Sequence, residues 1–115
     1  MSEASPLRAV AERYVEIVNR GAYHELSELF AENAVFLGPE RRTLKGRDQI
    51  GAFYEAFLPT IRPNVRIVTY VEQGTTCVYE LEARLSGGDE YQLGAIDHAT
   101  FDAAGKIARF AVYTK

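Results

Sequence analysis

The first twenty residues show apolar positions at helical spacing. Ser5 and Pro6 are typical of a helix start, and Gly21 is typical of a helix end. Between these boundaries apolar side chains recur every three or four residues, at Leu7, Val10, Ala11, Tyr14, Ile17 and Val18. This spacing predicts an amphipathic helix that buries Tyr14 on its apolar stripe.

Two more helices are predicted before residue 64. A short second helix has an acidic side and an apolar side, and the apolar side carries Leu26, Leu29 and Phe30. A third helix has apolar residues at positions i, i+3, i+4 and i+7, which are Ile50, Phe53, Tyr54 and Phe57. Because proline lacks an amide hydrogen and its ring clashes with the preceding turn, we expect Pro59 and Pro63 to end this helix.

A short strand and a basic loop separate the second and third helices. Residues 34–37 are apolar and are followed by Gly38 and Pro39, which predicts a strand that ends in a turn. The loop after this turn carries Arg41, Arg42, Lys45 and Arg47. We expect this basic cluster to be a solvated connection.

From Val65 onward the apolar period changes from helical to two. Turn residues at Gly74, at 87–89 and at 102–105 divide this half into four strands, which predicts an antiparallel meander. The strand after Gly74 has an apolar face, formed by Cys77, Tyr79, Leu81, Ala83 and Leu85. In the next strand Asp97 interrupts an apolar row, formed by Tyr91, Leu93, Ala95, Ala99 and Phe101.

Helices followed by a run of antiparallel strands are typical of an α+β domain. We therefore expect three N-terminal helices to pack on a curved, mostly antiparallel sheet that encloses an apolar pocket. The length of 115 residues suits a single domain over residues 1–115.

Composition and charge argue against several classes of partner. Apolar residues make up 47% of the chain and the formal charge is −3, so we expect neither nucleic acid nor a membrane as a partner. No apolar stretch has the length of a membrane helix and the first residues lack a signal-peptide pattern, so we expect a cytoplasmic protein. A single cysteine, Cys77, excludes an internal disulfide. Two histidines without ligand spacing predict no metal site, and no cofactor is implied.

Asp97 and Tyr14 are the candidate chemical groups. An isolated carboxylate in an apolar row is penalised by desolvation, which favours the neutral acid and lets it donate a hydrogen bond. Two structural alternatives remain open. A local bulge would turn Asp97 toward solvent or toward an arginine, and Tyr14 would be a core residue if its hydroxyl bonded to the backbone.

Several segments spread over nearly the whole chain resemble those of one protein superfamily. They are Arg13-Tyr14-Val15, Leu29-Phe30-Ala31, Phe53-Tyr54, Ile96-Asp97-His98 and Gly105-Lys106-Ile107. With the order of the predicted elements, they resemble the nuclear transport factor 2-like (SnoaL-like) superfamily, and ketosteroid isomerases (steroid delta-isomerases) most closely. The resemblance implies a cone-shaped, cystatin-like fold and an oxyanion hole formed by Tyr14 and a protonated Asp97. It also implies a pocket lined by aromatic side chains, at Phe30, Phe53, Tyr54 and Tyr113.

One position departs from the pattern of ketosteroid isomerases. Where those enzymes carry a general-base aspartate, just before the proline that follows the first strand, this chain has Gly38, in the segment Leu37-Gly38-Pro39. The nearest carboxylate is Glu40, which would serve as the base if the turn differed from that of the family. The resemblance therefore implies a protein that binds a hydrophobic keto or enol, steroid-like ligand in its oxyanion hole. Isomerase activity would be weak, altered or absent.

The alternative is another kind of pocket enzyme of the superfamily. A polyketide cyclase-like protein, for example, would use a different base such as Glu40. Whether the chain is an enzyme stays open at this point, and an enzymatic activity would be of the steroid delta-isomerase type.

The exposed face of the meander is less polar than a fully solvated face. We expect this face to carry Val78, Ile96, Phe110 and Val112. Such a surface is typical of a contact between two copies of a chain, so we expect a homodimer through the sheet.

Overall fold

Three helices form one layer of the molecule. The computed structural model describes residues 5–85, 88–91 and 93–114. Helix α1 spans Pro6–Arg20, a 3-10 helix spans Tyr23–Leu29, and helix α2 spans Arg47–Ile61. The three predicted helices are therefore confirmed, and the second is a 3-10 helix.

Helix α1 begins and ends as its sequence predicts. The Ser5 hydroxyl accepts a hydrogen bond from the amide of Arg8, and Gly21 closes the helix in the left-handed conformation with φ 75°. The buried positions of the helix are Ala11, Tyr14, Ile17 and Val18. Tyr14 thus lies on the buried stripe.

Helix α2 continues through Pro59, so the prediction that this residue ends the helix was wrong. Pro59 lies in the last turn, where it removes one amide donor, and the helix continues for only two more residues. The helix ends at Ile61 because Pro63 disfavours helical backbone in the residue before it. That residue, Arg62, is left-handed with φ 41°, and its amide bonds to the carbonyl of Leu58.

Six strands form one mixed sheet against these helices. They are β1 (Phe30–Leu37), β2 (Thr43–Lys45), β3 (Asn64–Gln73), β4 (Thr76–Arg84), β5 (Leu93–Phe101) and β6 (Ile107–Thr114). Their order in the sheet is β2-β1-β6-β5-β4-β3, and only the β1–β6 pair is parallel. The predicted four-stranded meander is confirmed as β3 to β6, although Gly87 of its predicted turn lies outside the described residues.

Two features of the sheet differ from the prediction. Strand β1 begins at Phe30, four residues earlier than predicted, because Phe30 pairs with Ile107 of β6 instead of extending the second helix. The basic segment was expected to be a loop, but Thr43–Lys45 pairs with the end of β1 as strand β2. Both differences depend on pairing with distant residues.

The sheet has an inner face toward the helices and an outer face. Asp97 pairs with Tyr79 of β4 and with Val112 of β6, so these three side chains share the inner face. Phe110 is fully buried on the same face. The prediction that Phe110 and Val112 lie on the outer face was wrong. Because Phe110, Ala111 and Val112 are all apolar, the sequence does not show which of them point toward the inner face. No helix in the described parts of the chain has the length and apolar character needed to cross a membrane.

Candidate functional site

Tyr14 and Tyr54 meet in the interior between the helices and the sheet. Their hydroxyl oxygens are 3.0 Å apart, and their rings pack edge to face with centroids 6.0 Å apart. Tyr14 is 8% exposed and Tyr54 is 3% exposed. The hydrogen bond therefore joins α1 to α2 and satisfies both hydroxyls away from water. The alternative in which Tyr14 bonds to the backbone is not the arrangement found.

Asp97 is a buried acid on the inner face of β5. It is 2% exposed, and its Oδ2 atom has no hydrogen-bond partner within the described residues. Burial raises the pKa of Asp97 to about 8, so the carboxyl is mainly protonated at neutral pH. The predicted apolar surroundings of Asp97 are confirmed, and the alternative in which a bulge turns it to solvent or to an arginine is wrong.

Tyr79 is a third buried hydroxyl, and no motif in the sequence marks it as a site residue. It lies on β4 directly opposite Asp97 and is only 1% exposed. Its ring centroid is 6.4 Å from that of Tyr14. The sequence places Tyr79 in an apolar row of a strand. It does not show that Tyr79 lies opposite Asp97, because that depends on the register between β4 and β5.

The electrostatics of this group favour neutral hydroxyls. Burial raises the pKa of Tyr14 far above its ordinary value, and the charge of an ionised Asp97 raises it further. Burial likewise raises the pKa of Tyr54 and of Tyr79, with smaller contributions from their ionisable neighbours. The three tyrosines and Asp97 therefore hold protons that they can donate, and a negative charge among them is costly unless it is hydrogen-bonded.

Aromatic side chains fill the space around these polar groups. The ring centroid of Tyr14 lies 5.6 Å from that of Phe110. The ring centroid of Tyr54 lies 6.2 Å from that of Phe30 and 5.8 Å from that of Phe36. The polar groups are at most 8% exposed, so the interior is closed to solvent. A ligand therefore reaches Tyr14 and Asp97 only after some of these side chains move.

Gly38 lies at the edge of this interior. Its backbone is extended and continues β1, so its side-chain position lies on the same face as the buried residues Ala34 and Phe36. A Cβ atom at position 38 would be 3.0 Å from Cε1 of Phe36. Position 38 therefore points toward the inner face, and a side chain there requires Phe36 to shift by a few tenths of an ångström.

Glu40 is separate from the buried group. It is exposed in the turn Pro39–Arg41, with a left-handed backbone at φ 61°. The structure packs Tyr14, Tyr54 and Phe30 together, with Asp97 near enough for its charge to act on Tyr14, but it leaves the Glu40 carboxylate outside. A role for Glu40 as a base would require the turn to rearrange.

Phe53 and Tyr113, two of the predicted pocket aromatics, lie outside the buried group around Tyr14. Phe53 is half-buried at the edge of the cluster, where its ring packs 5.5 Å from Phe36 and 5.7 Å from Tyr54. Tyr113 is 59% exposed and pairs with Ile96 on the outer face. The prediction that Tyr113 lines the interior was wrong, because Val112 takes the inner face and the next residue must point the other way.

The described residues offer no candidate metal centre. No three His, Cys, Asp or Glu side chains among them form a group that could hold a metal ion. Cys77 is buried, and burial raises its pKa to about 11, so its thiol is not ionised at neutral pH.

The fold defines a class of protein. Helices packed on a curved, open sheet are the architecture of the nuclear transport factor 2-like, or cystatin-like, α+β proteins. The chain belongs to the SnoaL-like domain family, whose family model matches residues 11–110. The resemblance to this superfamily is therefore confirmed. No match was found among curated proteins.

Solved structures share the fold at low sequence identity. A protein from Kribbella flavida, provisionally named a ketosteroid isomerase, is 19% identical with a TM-score of 0.81 over 96% of this chain and 78% of that chain. A provisionally named isomerase of the SnoaL-like family from Agrobacterium tumefaciens is 19% identical with a TM-score of 0.77, over 97% and 99% of the two chains. A de novo designed protein with a curved β-sheet is 17% identical and has a TM-score of 0.83 over 99% and 88%. Since a designed sheet is as similar as natural proteins, these similarities establish the fold alone.

Proposed function

We propose that this protein binds a hydrophobic carbonyl or phenolic ligand, of steroid-like character, through hydrogen bonds from Tyr14 and Asp97. The observation that carries the proposal is the buried Asp97 Oδ2 atom, which has no partner within the described residues. A buried polar atom without a partner costs about 1 to 3 kcal/mol. An oxygen atom of a ligand would accept the proton of Asp97 and remove this cost.

The same geometry supports the binding of an oxygen that carries negative charge. The charge of an ionised Asp97 raises the pKa of Tyr14, so the two groups lie within electrostatic reach of each other. When Tyr54 donates to Tyr14, the proton of Tyr14 is free to point at the ligand. In a closed, apolar interior each such hydrogen bond is stronger than in water, which favours an enolate or phenolate oxygen.

The general base that transfers the proton in a ketosteroid isomerase has no counterpart among the buried polar groups of this chain. Gly38 has no side chain, and Glu40 is exposed. A general base contributes about 10²- to 10⁴-fold to the rate of such reactions. We therefore propose that isomerase activity is weak, altered or absent while ligand binding is kept.

Binding of a fluorescent phenol tests the proposal directly. We expect the parent protein to bind 2-naphthol at pH 7, and we expect Tyr14→Phe and Asp97→Asn each to weaken binding by about tenfold or more. The control is Tyr113→Phe, which removes a hydroxyl from the outer face and leaves affinity unchanged. Unchanged affinity in both interior variants would falsify the assignment of Tyr14 and Asp97.

Restoring the missing carboxylate tests the relation to isomerases. We expect Gly38→Asp to raise the rate of isomerisation of a β,γ-unsaturated ketosteroid by about 10²-fold or more. Gly38→Ala introduces the same Cβ contact with Phe36 but no base, so it should show no increase. If Gly38→Asp is no more active than Gly38→Ala, the interior does not stabilise a steroid enolate.

We also propose that the protein is a homodimer through the outer face of the sheet. Exposed apolar side chains on this face support the proposal, at Val71, Ile96 and Tyr113. Sedimentation velocity should show a dimer for the parent and a monomer for Ile96→Glu. Val68→Glu changes an exposed valine that lies in a groove with Arg8 and Glu12 of α1, on the helix side of β3, and serves as the control that stays dimeric. A monomeric parent would contradict this proposal.

A further inference from the structure

Arg42 lies beside the position of the missing base. The Cβ position of Gly38 is 3.5 Å from Cβ and 3.6 Å from Cδ of Arg42. The amide of Gly38 also donates a hydrogen bond to the carbonyl oxygen of Arg42, at 2.8 Å. The stem of Arg42 therefore covers the edge of the interior where ketosteroid isomerases carry a carboxylate.

The guanidinium group of Arg42 stacks on an aromatic side chain. Its carbon atom lies 5.0 Å from the centre of the Phe53 ring, which is within the range of a cation–π contact. Phe53 in turn packs against Tyr54, whose hydroxyl bonds to Tyr14. A positive charge thus lies at the outer end of a row of rings that leads inward to the proposed oxyanion hole.

This positive charge has no internal counterion. Four other arginines form ion pairs with glutamates, namely Arg8, Arg13, Arg20 and Arg66. Arg42 forms no ion pair within the described residues, and neither does its neighbour Arg41. Its guanidinium is available to an anion that approaches the edge of the interior.

The turn that holds Arg42 is strained. Glu40 and Arg41 are both left-handed, with φ 61° and φ 63°, although neither is a glycine. Left-handed backbone is unfavourable for residues with a Cβ atom, and such strain is concentrated at binding sites and switch regions. Arg42, which follows these two residues, has an ordinary extended backbone with φ −68°.

We propose that Arg42 forms a subsite for a carboxylate at the far end of the ligand. The ligand class is then an amphiphilic acid, with a carbonyl or phenolic oxygen at one end and a carboxylate at the other. Arginine suits this role because its planar guanidinium binds a carboxylate through two parallel hydrogen bonds. The inference rests on the proposed function, since it assumes that the other end of the ligand lies at Tyr14 and Asp97.

A matched pair of fluorescent probes tests this subsite. 2-Naphthol carries only the phenolic oxygen, whereas 6-hydroxy-2-naphthoate adds a carboxylate at the opposite end of the same rings. At pH 7 we expect the parent to bind the naphthoate about tenfold more tightly than 2-naphthol, and to lose part of this preference at high ionic strength. Arg42→Met should abolish the preference without changing the affinity for 2-naphthol, and Arg42→Lys should keep part of it. Arg41→Met, the control in the same turn, should keep the full preference.

The outcomes separate this inference from the proposed function. If the parent binds 2-naphthol but shows no preference for the naphthoate, the Arg42 subsite is overturned and the proposed function stands. The subsite is also overturned if Arg41→Met and Arg42→Met reduce the preference equally. Any positive charge in the turn would then have the same effect as Arg42. If Tyr14→Phe and Asp97→Asn leave 2-naphthol binding unchanged, the proposed function fails. Failure of both probes to bind the parent overturns both.

Discussion

The proposed site has an inner end, at Tyr14 and Asp97, and an outer end, at Gly38 and Arg42. The two ends differ in burial and in backbone conformation. At the inner end, the hydroxyl and carboxyl groups of Tyr14, Tyr54, Tyr79 and Asp97 are held on helices and on paired strands, away from water. At the outer end, residues 38–42 form an exposed turn with two left-handed residues. The inner end is part of the hydrophobic core, and the outer end is not.

Under the proposed function, this difference explains how the proton-transfer half of the site can be absent while the other half is kept. Groups at the inner end are fixed by packing, so a change there disturbs the fold as well as the chemistry. A substitution in the turn changes the chemistry at little cost to the core. Gly38 is such a position, because its extended backbone suits any residue type and a side chain there displaces Phe36 by only a few tenths of an ångström. Under the proposed function, the group that moves protons is therefore the one that a single substitution removes more easily.

The largest expected effect concerns the inner end and is the response of stability to pH. Burial raises the pKa of Asp97 from 3.8 to about 8 on folding. The folded state therefore binds this proton more tightly than the unfolded state does. The contribution of the protonated acid is fully present below about pH 4 and is lost as the pH rises to about 8. We expect this loss to amount to roughly 4 to 6 kcal/mol in the free energy of unfolding.

Urea denaturation of the parent and of Asp97→Asn across this pH range measures the effect. The parent should lose stability relative to Asp97→Asn as the pH rises, because asparagine does not ionise. Ile50→Val, a change elsewhere in the core, should lower stability by a similar amount at every pH. Parallel pH profiles for the parent and Asp97→Asn would mean that Asp97 is not a buried neutral acid, and the contrast between the two ends would fail.

The sequence predicts the inner end well where the signal is local. Helical spacing places Tyr14 on the buried stripe of α1, and alternation places Asp97 in an apolar row of β5. Tyr79 is different, because its position next to Asp97 depends on the β4–β5 register. Phe110 and Tyr113 were assigned to the wrong faces because apolar residues lie on both sides of β6. Pairing between strands, which no single segment encodes, decided each of these cases.

The outer end was harder to predict for another reason. Glycine or asparagine usually marks a left-handed backbone, but here Glu40 and Arg41 adopt it. The pairing of Thr43–Lys45 with β1 fixes the far side of this turn. The contact between Arg42 and Phe53 follows from that constraint, so the sequence alone indicated only a basic loop.

A smaller effect on stability tests whether the hydroxyls of Tyr14 and Tyr54 depend on each other. Tyr14→Phe or Tyr54→Phe should each destabilise the protein by about 1 to 2 kcal/mol, because each leaves the other hydroxyl buried without its partner. The double variant should cost about as much as one single variant. A double-mutant cycle from urea denaturation should thus give a coupling energy of about 1 to 2 kcal/mol. Additive effects would show that the two hydroxyls do not depend on each other.

The smallest expected effect concerns the strain of the outer turn. Glu40→Gly relieves a left-handed conformation at φ 61°, but glycine also loses more chain entropy on folding. The balance should stabilise the protein by about 0.5 kcal/mol, measured by urea denaturation. Glu40→Ala keeps the Cβ atom and should give no such gain, whereas Glu32→Gly, at an exposed position of β1, should destabilise. Since the turn lies outside the core, Glu40→Gly should also leave 2-naphthol binding unchanged. A change in that affinity would mean that the turn is coupled to Tyr14 and Asp97, and that the two ends are not independent.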